Sequence, residues 1–170
     1  MGIGPVPLVI DRPDATDAGY LLRPMAAGDL EQVLRIEGEW APTPWSRPTF
    51  ENELGVPFSR ASVLHAAGHS EVVSGYVVRW SVAGEFHLLS LAVRAEERRQ
   101  GLGGLMIDDL LVEARATGAD LVTLEVEAAN DAAVALYRSR GFTEVRRRKG
   151  YYGRGRDALA MDLALGRAVS

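Results

Sequence analysis

The chain has 170 residues, 47% of them hydrophobic and 25% charged, which is the size and balance of one folded domain and excludes a disordered or fibrous chain. Cysteine is absent, so disulfides, zinc thiolates and a thiol nucleophile are excluded together, and the usage suits a reducing, cytoplasmic setting. The net charge of −4 argues against general nucleic-acid affinity, and no apolar run reaches the roughly 18 residues of a membrane span.

No basic stretch opens the N-terminus, and Pro5 and Pro7 interrupt its apolar residues, so a secretory leader is not expected. Residues 1–19 lack a sustained period and are expected to form a loosely held arm, followed by a single domain over 20–170. "YLLRP" reads as a short strand closed by Pro24. "AGDLEQVLRIEGEW" follows with Leu30, Val33, Leu34 and Glu37 at helical spacing and Asp29 near its start. "APTPWSRPTFENEL" offers a loop and a second short helix from about Arg47.

Three β-rich runs come next, "ASVLHAA", "EVVSGYVVRWSV" and "EFHLLSLAV", and their short links predict an antiparallel meander. From Gly101 to Thr117 the period turns helical, with Leu102, Met106, Leu110 and Ala114 on one face and Gly118 placed to end it. "ADLVTLEV" is an almost wholly apolar strand. Asn130 can cap a helix over "DAAVALYRSR", which Gly141 can terminate, and "FTEVRRR" and "DALAMDLAL" supply two last strands. The order predicts an α/β domain: a mixed sheet of about seven strands with helices on both faces.

Chemistry concentrates in a few stretches. "RRQGLGG", Arg98 to Gly104, precedes a helix whose first amides lie at the positive end of its dipole, so it can receive a diphosphate; equally, such glycines can simply turn the chain. A Walker A lysine is missing, because Leu105 stands in its place, and Met106 breaks the dinucleotide fingerprint. Alternation in "LVTLEV" projects Glu125 away from Leu124 and Val126, either as a strand-end carboxylate paired with an arginine or as a general base, with Glu127 the alternative base. Tyr137 is either a core aromatic or, with a reference pKa of about 10, a side chain that stays protonated at neutral pH and can donate a proton. "VRRRKGYYGRGR" reads as a solvated basic hairpin, an RNA-binding tract or, through Tyr151 and Tyr152, an aromatic binding wall. His65, His69 and His87 show no metal spacing, the first two reading as strand-end surface residues, and no metal is expected.

Arg-x-x-Gly-x-Gly at Arg98–Gly103, after a strand and before a helix, resembles the acetyl-CoA loop of the GNAT N-acetyltransferases. "LAVRAEERRQGLG", "LEVEAANDAAVALYRSRGF" and "YY...RDALAM", in this order, together with "PWS" at 44–46, resemble more specifically the ribosomal-protein-alanine N-acetyltransferases (RimI type). The resemblance runs from about Leu21 to Leu163. It implies the GNAT fold, acetyl-CoA as cosubstrate and direct transfer to a protein N-terminal amine, alanine of a small-subunit ribosomal protein. It further implies Glu125 as general base and Tyr137 as general acid. Cofactor contacts would come from Arg99, Gln100, Gly101, Leu102, Gly103 and Gly104, from Asn130, and from the backbone of Leu91, Ala92 and Val93. Acceptor contacts would come from Trp45, which could instead be a core anchor, and from Tyr151 and Tyr152. Gly104 departs from the pattern, which commonly has a larger polar residue there. A monomer or weak homodimer, without membrane or nucleic-acid partners, is expected. Two alternatives stay open: acetylation of lysine side chains or a small amine, and a non-catalytic acyl-CoA- or RNA-binding module.

Overall fold

The computed structural model describes residues 9–10 and 19–166. In chain order its elements are β1 (Val9–Ile10), β2 (Tyr20–Pro24), α1 (Leu30–Trp40), α2 (Arg47–Gly55), β3 (Ser59–Ala66), β4 (Gly75–Val82) and β5 (Glu85–Val93). They continue with α3 (Leu102–Ala116), β6 (Leu121–Glu127), α4 (Asp131–Ser139), β7 (Thr143–Arg148) and β8 (Ala158–Ala164). Apart from β1 the order is the predicted one. β1 pairs antiparallel with β2, Val9 opposite Leu21; the rest of the expected arm lies outside the described residues, save Gly19. β4 starts at Gly75 and not at Glu71, because the chain first turns, the Val72 N–H reaching the His69 carbonyl at 3.1 Å and the Ser74 N–H reaching that of Leu64 at 2.7 Å.

Local chemistry fixes the helix ends. Asp29 accepts the Ala26 N–H at 2.8 Å before α1 and holds Arg23 by both oxygens at 2.7 Å. Ser46 caps α2 by accepting the Thr49 N–H at 3.4 Å, with Pro48 in the first turn, where a missing N–H is harmless. α3 ends at Gly118, left-handed at φ +74°, with the Ala119 N–H reaching back to the Ala114 carbonyl at 2.9 Å. α4 ends in the same way, with Gly141 at φ +93° and the Phe142 N–H on the Tyr137 carbonyl at 3.1 Å.

The chain forms two compact units, which exchange at β4–β5 and within α3. The first runs to Val78 and includes Ser90–Asp109; its strand order is β1-β2-β3-β4-β5, α1 contacts α2, and α2 packs on β3. Leu30, Val33, Ile36, Phe50, Leu64 and Tyr76 are almost wholly buried there, about 1.5–3 kcal/mol each by transfer. His65, read from sequence as a surface residue, is 6% exposed, its Nδ1 2.9 Å from the Ala66 carbonyl.

The second unit holds Arg79–Leu89 and the chain from Leu110, with the order β4-β5-β6-β8-β7. β5 and β6 are parallel, Glu85 opposite Leu121 and Leu88 opposite Leu124, whereas β8 is antiparallel to both β6 and β7, which makes the sheet mixed as predicted. β7 closes the sheet as an edge strand. It is exposed along almost its whole length and carries three arginines, whose charge discourages edge-to-edge pairing.

Candidate functional site

In the first unit the residues read as cofactor-binding follow one another along the chain. In β5 the side chains alternate, so Ala92 is 7% exposed while Leu91 and Val93 are half-buried. Gly75 of β4 explains how the backbone there can close up: a Cβ on it would stand 2.8 Å from the Ala92 carbonyl oxygen and 3.1 Å from Met106 Cε of α3. The loop then leaves β5 with the Arg98 Nε donating to the Val93 carbonyl at 3.2 Å. Arg99 and Gly101 are left-handed, at φ +62° and +76°; Arg98, Arg99, Gln100 and Gly101 are exposed, and Leu102 and Gly104 are buried. The Leu105 N–H is bonded to the Gly101 carbonyl at 3.1 Å, so the amides before it open the helix and have no acceptor one turn back.

Trp45 lies in the same unit, half-buried, its ring 5.2 Å from that of Phe50, which meets Tyr76 edge-on at 5.5 Å. The ring packs on the core, as the core-anchor reading has it, and keeps a solvent-facing portion. Its backbone N–H donates to the Glu37 carboxylate at 3.0 Å.

In the second unit the structure gathers Glu125, Tyr137, Tyr151 and Tyr152. β6 buries Val122, Leu124 and Val126 and turns Glu125 to the other face, as the alternation predicts. One oxygen of Glu125 lies 3.3 Å from Arg148 Nη2, and the Arg148 guanidinium stacks 5.3 Å over the Tyr151 ring. Glu127 takes a different part: Arg156 grips both its oxygens, at 2.7 and 3.0 Å, and holds its carboxyl below the ordinary range. Arg156 also donates to the Tyr152 carbonyl at 3.0 Å, so the Glu127 pair anchors the loop that carries the aromatics. Tyr151 and Tyr152 meet edge-on at 5.0 Å, the first 52% exposed and the second half-buried.

Tyr137 is 7% exposed, and its ring packs edge-on against Phe142 at 5.9 Å. Burial first, and Tyr152 second, push its phenol up to about 12. No hydrogen bond engages its hydroxyl among the described residues, so the proton there is uncommitted. Burial and then the Glu125 carboxylate push the Tyr152 phenol up as well. Asn130 caps α4 through the Ala133 N–H at 3.2 Å, which orients the helix bearing Tyr137.

Sequence reasoning missed Gly75, Arg148 and Arg156. Only the isolated glycine within an apolar run signalled the first. Among the described residues no group of acidic and histidine side chains could hold a metal ion, and no helix is long and apolar enough to cross a membrane.

A family model for acetyltransferases of the GNAT family matches residues 30–142. The chain is 33% identical over 141 residues to the ribosomal protein bS18-alanine N-acetyltransferase of Escherichia coli, covering 81% of this chain and 92% of that one. The crystal structure of the Escherichia coli ribosomal-protein-S18-alanine enzyme superposes with a TM-score of 0.79 at 30% identity, over 89% of this chain and 97% of that one. Arabidopsis thaliana NAA60, solved in complex with acetyl-CoA, shares the fold with a TM-score of 0.76 at 22% identity, over 86% and 98% of the two chains.

Proposed function

The chain belongs to the acetyltransferase (GNAT) family, and from that premise we propose that it acetylates a protein N-terminal α-amine, that of alanine on a small-subunit ribosomal protein, with acetyl-CoA as cosubstrate. The observation that carries this reading is the 33% identity spread over 92% of the bS18-alanine enzyme.

Acetyl-CoA supplies a thioester, and the chain's own residues bind, orient and move protons. Loop 99–104 receives the diphosphate: with Gly101 at φ +76° and no side chain on Gly103 or Gly104, the backbone that opens α3 can come close to phosphate oxygens at the positive end of the dipole. The Leu91, Ala92 and Val93 backbone would hold the pantetheine arm, and Asn130, beside its capping bond, is a further residue assigned to the cofactor. Trp45 in the first unit, and Tyr151 and Tyr152 in the second, are the aromatic residues assigned to the acceptor's first residue.

Glu125 acts as general base. An α-amino group has a reference pKa of about 7.7–8.0, so a carboxylate reached directly or through one water takes its proton at modest cost. Glu127 is the loop anchor and not the base, because Arg156 occupies both its oxygens. Tyr137 is the general acid. With its phenol at about 12 it keeps its proton throughout the neutral range, so the proton is there to be given when the thiolate departs.

The test offers acetyl-CoA with peptides beginning in Ala or Ser, with N-terminally blocked lysine peptides and with polyamines, and follows free thiol. Release with the N-terminal peptides alone is the expected result. Turnover confined to polyamines would contradict it.

A further inference from the structure

Glu37 has no part in the chemistry above. It is 2% exposed on the inner face of α1, and among the described residues none of the groups acting on its carboxyl is a cation. A carboxylate taken from water without a counter-ion is costly, and an aliphatic side chain would fill the same space without that cost. Its partners are neutral donors drawn from separate parts of the first unit. Oε1 accepts the Trp45 backbone N–H at 3.0 Å, Oε2 accepts the Tyr76 hydroxyl, and the Trp40 side chain also hydrogen-bonds to the carboxylate. The Tyr76 hydroxyl lies 3.2 Å from Ser90 Oγ, one residue before Leu91.

We propose that Glu37 is a positioning residue for acceptor recognition: its buried carboxylate sets the Trp40 indole at the end of α1 and the 41–46 loop that carries Trp45 and, through Tyr76 and Ser90, ties that loop to the β5 segment that reads as donor-binding. The proposal rests on the assignment of Trp45 to the acceptor wall. Trp40 is 39% exposed although its indole is tethered, which suits a ring held at the rim of a binding surface. The network does not depend on the negative charge. A glutamine can accept the Trp45 N–H with its amide oxygen and donate its NH₂ to the Tyr76 oxygen, which then turns its own proton to Ser90. A leucine of similar volume satisfies none of these groups.

Glu37→Gln and Glu37→Leu are therefore compared in steady-state kinetics with an Ala-starting peptide, in calorimetry with coenzyme A, and in iodide quenching of tryptophan emission. Glu37→Leu is expected to raise the peptide KM about tenfold, because loosened groups misplace the acceptor. The same variant leaves coenzyme A affinity within about threefold, since it deletes no group read as donor-binding. Its indoles become more quenchable, and Glu37→Gln restores both the peptide KM and the quenching. Wild-type peptide KM and quenching in Glu37→Leu, or equal losses in Leu and Gln variants, would overturn the proposal. Should Glu37→Leu not fold, Tyr76→Phe removes one donor to Glu37 while keeping the ring; a raised peptide KM supports the proposal and an unchanged one overturns it. A wild-type enzyme that acetylates amines but no peptide, with the Glu37→Leu indoles still exposed, would refute the peptide reading and support the tether.

Discussion

Replacing Tyr137 by Phe separates the chemistry assigned to this residue from its packing. The ring meets Phe142 at 5.9 Å and is 7% exposed, and its hydroxyl makes no hydrogen bond among the described residues, so the Phe variant keeps the contacts and loses about 1 kcal/mol or less of stability at neutral pH. If the hydroxyl delivers the proton to the departing thiolate, kcat falls by about 10²–10⁴-fold, the usual worth of a positioned acid, while acetyl-CoA affinity is unchanged. Stability against pH supplies a second reading. The folded phenol sits at about 12 against an ordinary 10.0, so its burial stabilises the protein below pH 10 and that contribution is lost as pH rises towards 12. That difference is worth about 3 kcal/mol, of which roughly half is gone near pH 11. Wild type should therefore lose more thermal stability between pH 9 and pH 11 than Tyr137→Phe, when both are followed by circular dichroism. A kcat for the variant within threefold of wild type would refute the role of acid, and equal alkaline losses would refute the buried phenol.

Glu125→Gln should lower kcat at neutral pH by about 10²-fold or more, whereas Glu127→Gln should change kcat less than threefold and chiefly raise the peptide KM, because Glu127 anchors the aromatic loop through Arg156; parallel kinetics of the two variants decide this. Glu127's carboxyl is held low, so its share of stability is present above the ordinary value and is lost as pH falls through the lowered one; Glu127→Gln should narrow the acid loss in a melting series. Gly75→Ala puts a methyl group 2.8 Å from the Ala92 carbonyl oxygen and should cost about 1–3 kcal/mol in chemical denaturation, with weaker acetyl-CoA binding by calorimetry. Gly101→Ala forces an L-residue to φ +76°, a strain of about 1–2 kcal/mol, and should raise the acetyl-CoA KM while leaving the peptide KM unchanged.

What was legible in the sequence is what neighbouring residues determine. Asn130 and Gly141 announce the two ends of α4, and alternation alone turns Glu125 away from Leu124 and Val126, because capping and pleating act over a few residues. The spacing that groups Glu37 with Leu30 and Val33 likewise places it on the buried face of α1, although Ile36 rather than Leu34 completes that face. Two of the partners that give Glu37 its meaning, Trp45 and Tyr76, are 8 and 39 residues away, and no local period encodes them. The Arg156 grip on Glu127 spans 29 residues in the same way, so the choice between the two carboxylates was open in sequence and is argued from contacts. The start of β4 was misjudged because Glu71, Val72 and Val73 have the composition of a strand, whereas turn hydrogen bonds to His69 and Leu64 decide their conformation.

The most direct measurement takes one Ala-starting peptide containing a lysine, with its N-terminus free or chemically blocked, incubates each form with acetyl-CoA and the enzyme, and reads the site of acetylation by fragment mass spectrometry. A single acetyl group on the α-nitrogen of the free form and none on the blocked form is the expected result. An acetyl group on the lysine of both forms, or on neither peptide while thiol is still released with a small amine, would contradict it.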